Sequence, residues 1–238
     1  ISNFFIFYLS YILLAILIII FWLILPSTTL VIFLLVASYH FGKEDTFFLI
    51  NNVSFYNSLL FFFKGSLIIL APMYFHFDET INIFKFLLVD NETFYNFLNF
   101  VETNQILLYG IILSTLSSIL LFVRNFEFKK FIIFLDYFSI LIINYYFSPL
   151  IAFTLYFCFL HSIRHSITLI FELNRENLKL GLNIFIKKAL PLTAVTATFC
   201  LVSLYFLNNT YDFDSSILKI IFIGLASLTF PHILLEYL

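Results

Sequence analysis

The chain has 238 residues, a net charge of -2, 62% hydrophobic residues and only 11% charged residues. With a mean hydropathy of +1.05, this composition excludes an ordinary soluble globular domain and predicts an integral membrane protein. The charges lie at the ends of apolar runs, so the sequence offers no basic face for nucleic acid and no acidic tail for a soluble partner.

Apolar runs of about 18 or more residues, the length that spans a bilayer as a helix, recur along the chain. We therefore predict an all-α fold, a polytopic transmembrane helix bundle of about seven to eight spans within one integral membrane domain, residues 1–238. The predicted spans are Phe4 to Leu25, Thr29 to Phe41, Lys64 to His76, Gln105 to Val123, Phe131 to Phe147, Pro149 to Phe171, Ala189 to Leu207 and Ile217 to Leu238. The second is short for a full crossing.

Proline and polar residues separate these spans. Pro26 ends the first span, because proline cannot continue a helix and restrains the residue before it. Asn51 to Asn57 has the composition of a polar connector. Residues 78–104 carry five acidic residues against the single Lys85, which predicts an acidic external loop containing an interfacial helix.

The positions of lysine and arginine predict the orientation, because cytoplasmic loops hold most of these residues. Nine of the twelve lie in the predicted loops 42–64, 124–130 and 172–188. We therefore predict that both ends of the chain face the cytoplasm across the cell membrane. The chain begins with Ile1 and enters an apolar run almost at once, so we expect that a preceding N-terminal part is missing.

Two histidines, His161 and His165, lie four residues apart inside the apolar run from Ser148 to Phe171. On a helix, residues at this spacing are about 6 Å apart along the axis and roughly 40° apart around it, so both imidazoles can reach one ion. Ionisable residues within a membrane are costly and indicate function by default. The pair predicts a metal site, although imidazole ligands suit iron, zinc, copper and nickel alike.

The predicted topology assigns each histidine a depth. His40 lies at the inner end of its span, His161 and His165 lie in the inner half of theirs, and His232 lies near the inner end of the last span. His76 falls on the outer side. We expect one site to gather His40, His161 and His165, with His232 as an additional candidate and His76 distant from it.

Carboxylates are expected beside such a site, because ligating imidazoles normally donate their second N–H to a carboxylate or a carbonyl. Asp136, Asp45 and Glu236 are the candidates. Asp136 lies within a span and must be paired, protonated or exposed to a polar cavity; pairing with Arg164 would simply join two helices. Glu236 follows His232 at i+4, and Asp45 could equally be a solvated loop charge.

Missing motifs narrow the function. The sequence has no Gly-rich phosphate loop, no Gly-x-Ser-x-Gly elbow and no His-Glu-x-x-His, so nucleotide chemistry, serine hydrolysis and zincin-type proteolysis lack support. Metal redox chemistry, haem binding and transport remain as candidate functions. A non-enzymatic haem-binding subunit is one alternative, and it would need axial histidines from different helices. A histidine-rich di-iron hydroxylase or desaturase-like enzyme is another, but the chain has only five histidines and no His-x-x-His-His box.

Three segments resemble the Brp/Blh-type β-carotene 15,15′-dioxygenases, membrane enzymes of microbes that make retinal for rhodopsins. The segments are Ser38-Tyr39-His40-Phe41-Gly42-Lys43-Glu44-Asp45, Tyr156-Phe157 followed by His161-Ser162-Ile163-Arg164-His165, and Pro231-His232. They occur in the family's order and cover most of the chain. The first two are fairly specific as a pair, whereas Pro-His alone is not.

The resemblance implies Fe(2+) bound by four histidines, of which His40, His161 and His165 match three and would be the catalytic residues. The family's fourth ligand precedes the His-Phe-Gly element, and no histidine precedes His40 here. We therefore expect the missing N-terminal part to carry that ligand helix, with His232 as the alternative. The resemblance further implies cleavage of the central double bond of β-carotene by dioxygen into two retinal molecules, within the lipid bilayer, and a functional link to a retinal-binding rhodopsin.

Overall fold

The computed structural model describes residues 2–47, 54–124 and 127–236, and the side chains at 2–8, 47, 129, 235 and 236 lie outside this description. Within these residues the chain is helical and contains no strand, which confirms the predicted all-α fold. The helices are α1 (Ser2–Ile24), α2 (Pro26–Phe47), α3 (Phe55–Phe75), α4 (Phe77–Phe86), α5 (Glu92–Thr103), α6 (Ile106–Val123), α7 (Phe131–Tyr146), α8 (Pro149–Leu155), α9 (Ile163–Leu173), α10 (Leu178–Leu207) and α11 (Phe213–Glu236). A π-helix, Tyr156–Ser162, joins α8 to α9, and a 3-10 turn, Phe128–Lys130, precedes α7.

Several helices are long and apolar enough to cross a membrane. Among the described residues there are five: α3, α6, the continuous helix Pro149–Leu173, α10, and α11 over Phe213–Leu234. Two further apolar stretches, Leu9–Ile24 within α1 and the whole of α7, are shorter. The chain is therefore a membrane protein, but the predicted count of seven to eight spans is not confirmed. Polar and charged residues at both ends of α2 leave that helix outside the set.

The predicted loop 42–64 is wrong in most of its length. Helix α2 continues past Phe41 to Phe47, and α3 begins at Phe55 rather than at Lys64. Lys43 and Lys64 are buried inside these helices, and the Lys64 Nζ atom lies 4.0 Å from a carboxylate oxygen of Asp45. Residues 51–53 of the predicted connector lie outside the described residues. The two buried lysines do not report on sidedness, so the orientation stays a prediction.

Residues 78–104 form two helices, α4 and α5, rather than a loop with one helix. Asn91 caps α5 by accepting a hydrogen bond from the backbone N–H of Phe94. The Tyr95 hydroxyl donates to the carbonyl of Val89 at 2.6 Å, which ties α5 to the preceding turn. Burial, with Asp90 nearby, raises the pKa of Tyr95 to about 12, so the phenol keeps its proton. The charged segment 172–188 is likewise mostly helical, because α10 begins at Leu178.

Two glycines allow the backbones of α2 and α3 to touch. A Cβ atom on Gly42 would overlap the carbonyl oxygen of Phe61, and one on Gly65 would overlap the carbonyl oxygen of Ser38. Small residues at such a contact let membrane helices approach closely. The close approach places Asp45, near the end of α2, beside Lys64 of α3.

We expect Gly42→Ala to lower the free energy of unfolding by more than about 2 kcal/mol, because the methyl group must push two backbones apart. Gly224→Ala is the matched control, since a Cβ there meets nothing within 4 Å. Alanine also favours a helix over glycine by up to about 1 kcal/mol, so the control should be neutral or stabilising. Denaturation in detergent, followed by circular dichroism, measures both, and equal effects would contradict this account of the contact.

Candidate metal site and adjoining pocket

A π-helix lies at the centre of the candidate site. It runs from Tyr156 to Ser162 and contains His161. Residues five apart on an α-helix point about 140° away from each other, given 3.6 residues per turn. The i→i+5 pattern of a π-helix brings such residues together, and π-helical turns are frequent at functional sites. The side chains of Tyr156 and His161 can therefore reach the same partner.

That partner is Asp45, whose side chain is 3% exposed. The Tyr156 hydroxyl donates to Asp45 Oδ2 at 2.8 Å, and His161 Nδ1 lies 3.2 Å from Asp45 Oδ1. Two cations also face this carboxylate, Lys64 at 4.0 Å and Arg164 at 3.6 Å. Asp45 is thus a buried centre that links α2, α3 and the π-helix, and not a solvated loop charge.

The neighbouring carboxylate, Glu44, lies beside His165, the second histidine of the pair. His165 Nδ1 lies 3.4 Å from Glu44 Oε2, and these side chains are 37% and 17% exposed. Both His161 and His165 therefore place Nδ1 against a carboxylate of α2. The Nε2 atom of each ring is then the one left to act as a ligand.

Four imidazole rings lie next to one another in this region. The ring centroid of His40 is 6.0 Å from that of His161 and 5.7 Å from that of His232. The centroid of His165 is 6.4 Å from that of His161 and 6.3 Å from that of His232. The structure thus brings together the four histidines that the predicted topology placed at one depth.

The residue types in this histidine cluster (His40, His161, His165 and His232) fit a metal ion. His40 is 5% exposed, and its Nδ1 atom has no hydrogen-bond partner among the described residues. A buried polar atom without a partner is costly, and a ligand or ion would satisfy it. Within the described residues, however, no group of three or more His, Cys, Asp or Glu side chains converges closely enough to hold an ion. The ligand roles therefore stay a prediction.

Of the remaining residues considered in the sequence analysis, some lie beside the histidine cluster and others do not. Asp136 accepts two hydrogen bonds from Arg164, at 2.7 and 2.8 Å, so it orients the guanidinium that faces Asp45. The side chain of Glu236 lies outside the described residues. His76 instead has Nε2 2.9 Å from the carbonyl oxygen of Asn144, and its contacts include none of the four clustered rings.

An apolar pocket begins beside the histidine cluster. Phe41 and Tyr156 line its near end, and the ring centroid of Phe41 is 4.9 Å from that of His161. From there the pocket extends between α1, α2, α3, α4, α7, α8 and α11, almost entirely along apolar side chains. A hydrophobic molecule within it would lie against the cluster.

Sequence reasoning did not predict that Lys64 contributes to the site, and it named Tyr156 only as part of a segment that resembles the family. Lys64 had a usable signal, because it interrupts the apolar run from Leu59 to Leu70 and a buried lysine needs a carboxylate partner. The sequence contains no local signal that Tyr156 is a partner of Asp45. Its role depends on the π-helix, and α-helical periodicity would place it on a different face from His161.

Helices long enough to span a membrane, together with a histidine cluster that has carboxylate partners, define a polytopic membrane protein with a candidate histidine site. The chain belongs to the beta-carotene 15,15'-dioxygenase family, whose model matches residues 1–238. This match confirms the resemblance carried by the three sequence segments.

One curated relative agrees with this family. The chain is 32% identical over 97 residues to the beta-carotene 15,15'-dioxygenase of uncultured marine bacterium 66A03. The aligned part covers 41% of this chain and 34% of the relative, so the match spans about a third of that protein. No solved structure matches the chain.

Proposed function

We propose that this protein cleaves the central 15,15′ double bond of β-carotene with dioxygen, in an iron-dependent reaction that gives two molecules of retinal. The observation that carries the proposal is the position of the histidine cluster at the near end of the apolar pocket. Family membership supports the reaction type, and the site supports its placement in this chain.

Fe(2+) is the proposed cofactor, with His40, His161 and His165 as ligands and His232 as the candidate for a fourth. Neutral imidazole is a common ligand of iron. When bound, the iron would supply the dioxygen chemistry that protein side chains lack. Carboxylates facing the Nδ1 atoms of His161 and His165 hold their rings in one tautomer, with Nε2 free to bind.

The apolar pocket is the proposed binding site for the substrate. β-Carotene is a hydrocarbon dissolved in the bilayer, and the pocket offers it a nearly continuous apolar lining. Burial of Phe41 and Tyr156 keeps water away from the end where cleavage would occur. Because the Tyr156 hydroxyl donates a hydrogen bond to Asp45, the ring of Tyr156 can present an apolar face to the substrate.

The proposed reaction balances without a further reductant. The central carbon–carbon double bond breaks, and each of its two carbons gains one oxygen atom of dioxygen and becomes an aldehyde. No proton needs to enter or leave. The protein's task is therefore to hold the double bond at the cluster and to exclude water and competing bonds.

The direct test is expression from the complete reading frame in β-carotene-producing cells. We expect loss of colour and accumulation of retinal, and we expect purified protein to lose activity on chelation and regain it with Fe(2+). Cells that keep their β-carotene and make no retinal would contradict the proposal. A Soret band in the purified protein, without non-haem iron, would favour the haem-binding alternative.

A further inference from the structure

The lining of the apolar pocket follows α2, and the histidine cluster adjoins this lining at Phe41. Five of the lining residues lie on α2, in the order Leu30, Phe33, Leu34, Ala37 and Phe41. The first and the last are eleven positions apart, which corresponds to about 16 Å along a helix at 1.5 Å per residue. A chain that followed this lining would lie extended and parallel to α2.

The far end of the pocket is closed by buried side chains. Trp22 is fully buried, and Leu30, Phe84 and Leu87 beside it are at most 8% exposed. The indole Nε1–H donates to the carbonyl oxygen of Leu87 at 2.9 Å, which fixes α1 to the end of α4. The indole ring also packs edge-on against Phe33, with the centroids 6.3 Å apart.

The opposite end meets the histidine cluster. Tyr156 and Phe41 line this end, and the rings of both lie within 6.1 Å of the His161 ring, centroid to centroid. A chain that is stopped at Trp22 therefore has one particular bond beside the cluster. The distance between the stop and the cluster decides which bond that is.

We propose that the pocket acts as a ruler for the polyene and that Trp22 is its end stop and a specificity-determining residue. One arm of the substrate lies along α2 with its terminal ring against the indole, so that the central double bond is presented to the cluster. This inference rests on the proposed function, because it concerns the choice of bond in that same reaction. Nothing in the family match assigns this role to Trp22.

The ruler predicts a defined change in products. If a smaller side chain replaces Trp22, the polyene moves deeper into the pocket, and a neighbouring double bond then lies beside the histidine cluster. The chemistry is unchanged: one carbon–carbon double bond breaks, and each carbon takes one oxygen atom from dioxygen. The products are then two aldehydes of unequal length instead of two molecules of retinal.

We expect Trp22→Phe to raise the ratio of unequal to equal aldehydes by about 10-fold or more, the discrimination expected from a small change in an apolar pocket. Phenylalanine keeps an aromatic ring in the core, and Trp22→Leu provides a second, shorter stop if either variant folds poorly. Leu23→Phe is the control, since Leu23 is 65% exposed on the same helix. Chromatography of the aldehydes is the measurement, and unchanged products in both folded variants would overturn the ruler.

A binding measurement separates the ruler from catalysis. Trp22 is the single tryptophan of the chain, so its fluorescence reports on whatever lies at the stop. We expect β-carotene, added to iron-free protein in lipid nanodiscs, to quench this fluorescence to saturation at one pigment per protein. In the double variant Trp22→Phe, Leu23→Trp, the indole faces outward and should show only the gradual quenching caused by pigment in the lipid.

The outcomes of the two measurements are distinguishable. Saturable quenching without retinal formation by the wild-type protein would contradict the proposed function and would leave the pocket as a polyene-binding site that ends at Trp22. Retinal formation without saturable quenching would support the reaction and overturn the ruler, because the substrate would then not reach Trp22.

Discussion

We expect His161→Ala to lower retinal formation by more than about 100-fold and to remove bound iron from the purified protein. Mutating a residue that only contacts a metal ligand typically lowers metal affinity or activity about 10- to 100-fold. His161→Ala removes a proposed ligand itself, so its effect should be larger. His161 also contacts several parts of the site, since it lies against Asp45, His40 and Phe41. Retinal yield and iron content, measured on the same preparation, test the prediction.

The matched control is His76→Ala. Its imidazole binds the carbonyl oxygen of Asn144 and lies near Glu79, so iron content and retinal yield should stay near wild type. His232→Ala tests the candidate fourth ligand, because this substitution should lower iron content only if His232 binds the iron. Retained cleavage by His161→Ala, in protein that folds normally, would exclude the assigned site.

The second large effect is expected for Asp45→Asn, which keeps the shape of the side chain and removes its charge. The substitution leaves Lys64 and Arg164 without one of their counter-charges in a buried site. Breaking a buried ion pair typically costs about 3–5 kcal/mol. The carboxylate beside His161 Nδ1 is also lost, so iron affinity should fall about 10- to 100-fold. Thermal unfolding and iron titration measure the two effects separately.

A double variant distinguishes positioning from simple stability. Adding Lys64→Met to Asp45→Asn removes one of the two cations that faced the lost charge, so the free energy of unfolding should recover in part. Iron affinity should stay low, because His161 still lacks its carboxylate. Glu44→Gln should weaken iron binding less than Asp45→Asn, since Glu44 and His165 are more exposed. If the double variant recovered iron affinity in full, Asp45 would have a purely structural role.

The histidine pair shows what the spacing of residues in the sequence can predict. The interval between His161 and His165 and the position of His40 after an apolar run predicted that these rings lie together, and they do. The helical register of a membrane span is regular enough for that inference. The same regularity failed at the π-helix, because α-helical periodicity separates Tyr156 from His161.

Charge patterns were less reliable. The lysines at 43 and 64 were assigned to a loop, because a charged residue next to an apolar run usually marks its end. In the structure both are buried in helices, and Asp45 lies 4.0 Å from the Lys64 amine. Such long-range pairing has no local signal, so the helix bounds near it were wrong.

The sequence by itself determined that this is an all-α membrane protein, that its histidines can share a site, and which family it resembles. Composition and helical periodicity are local properties, and the hydrophobic length of a span needs no tertiary contact. Only the tertiary structure decided that Asp45 is the buried centre of the site, that Tyr156 shares it, and that Trp22 closes the far end of the pocket. These depend on contacts between distant helices, and backbone contact at Gly42 and Gly65 together with a π-helical turn sets their geometry.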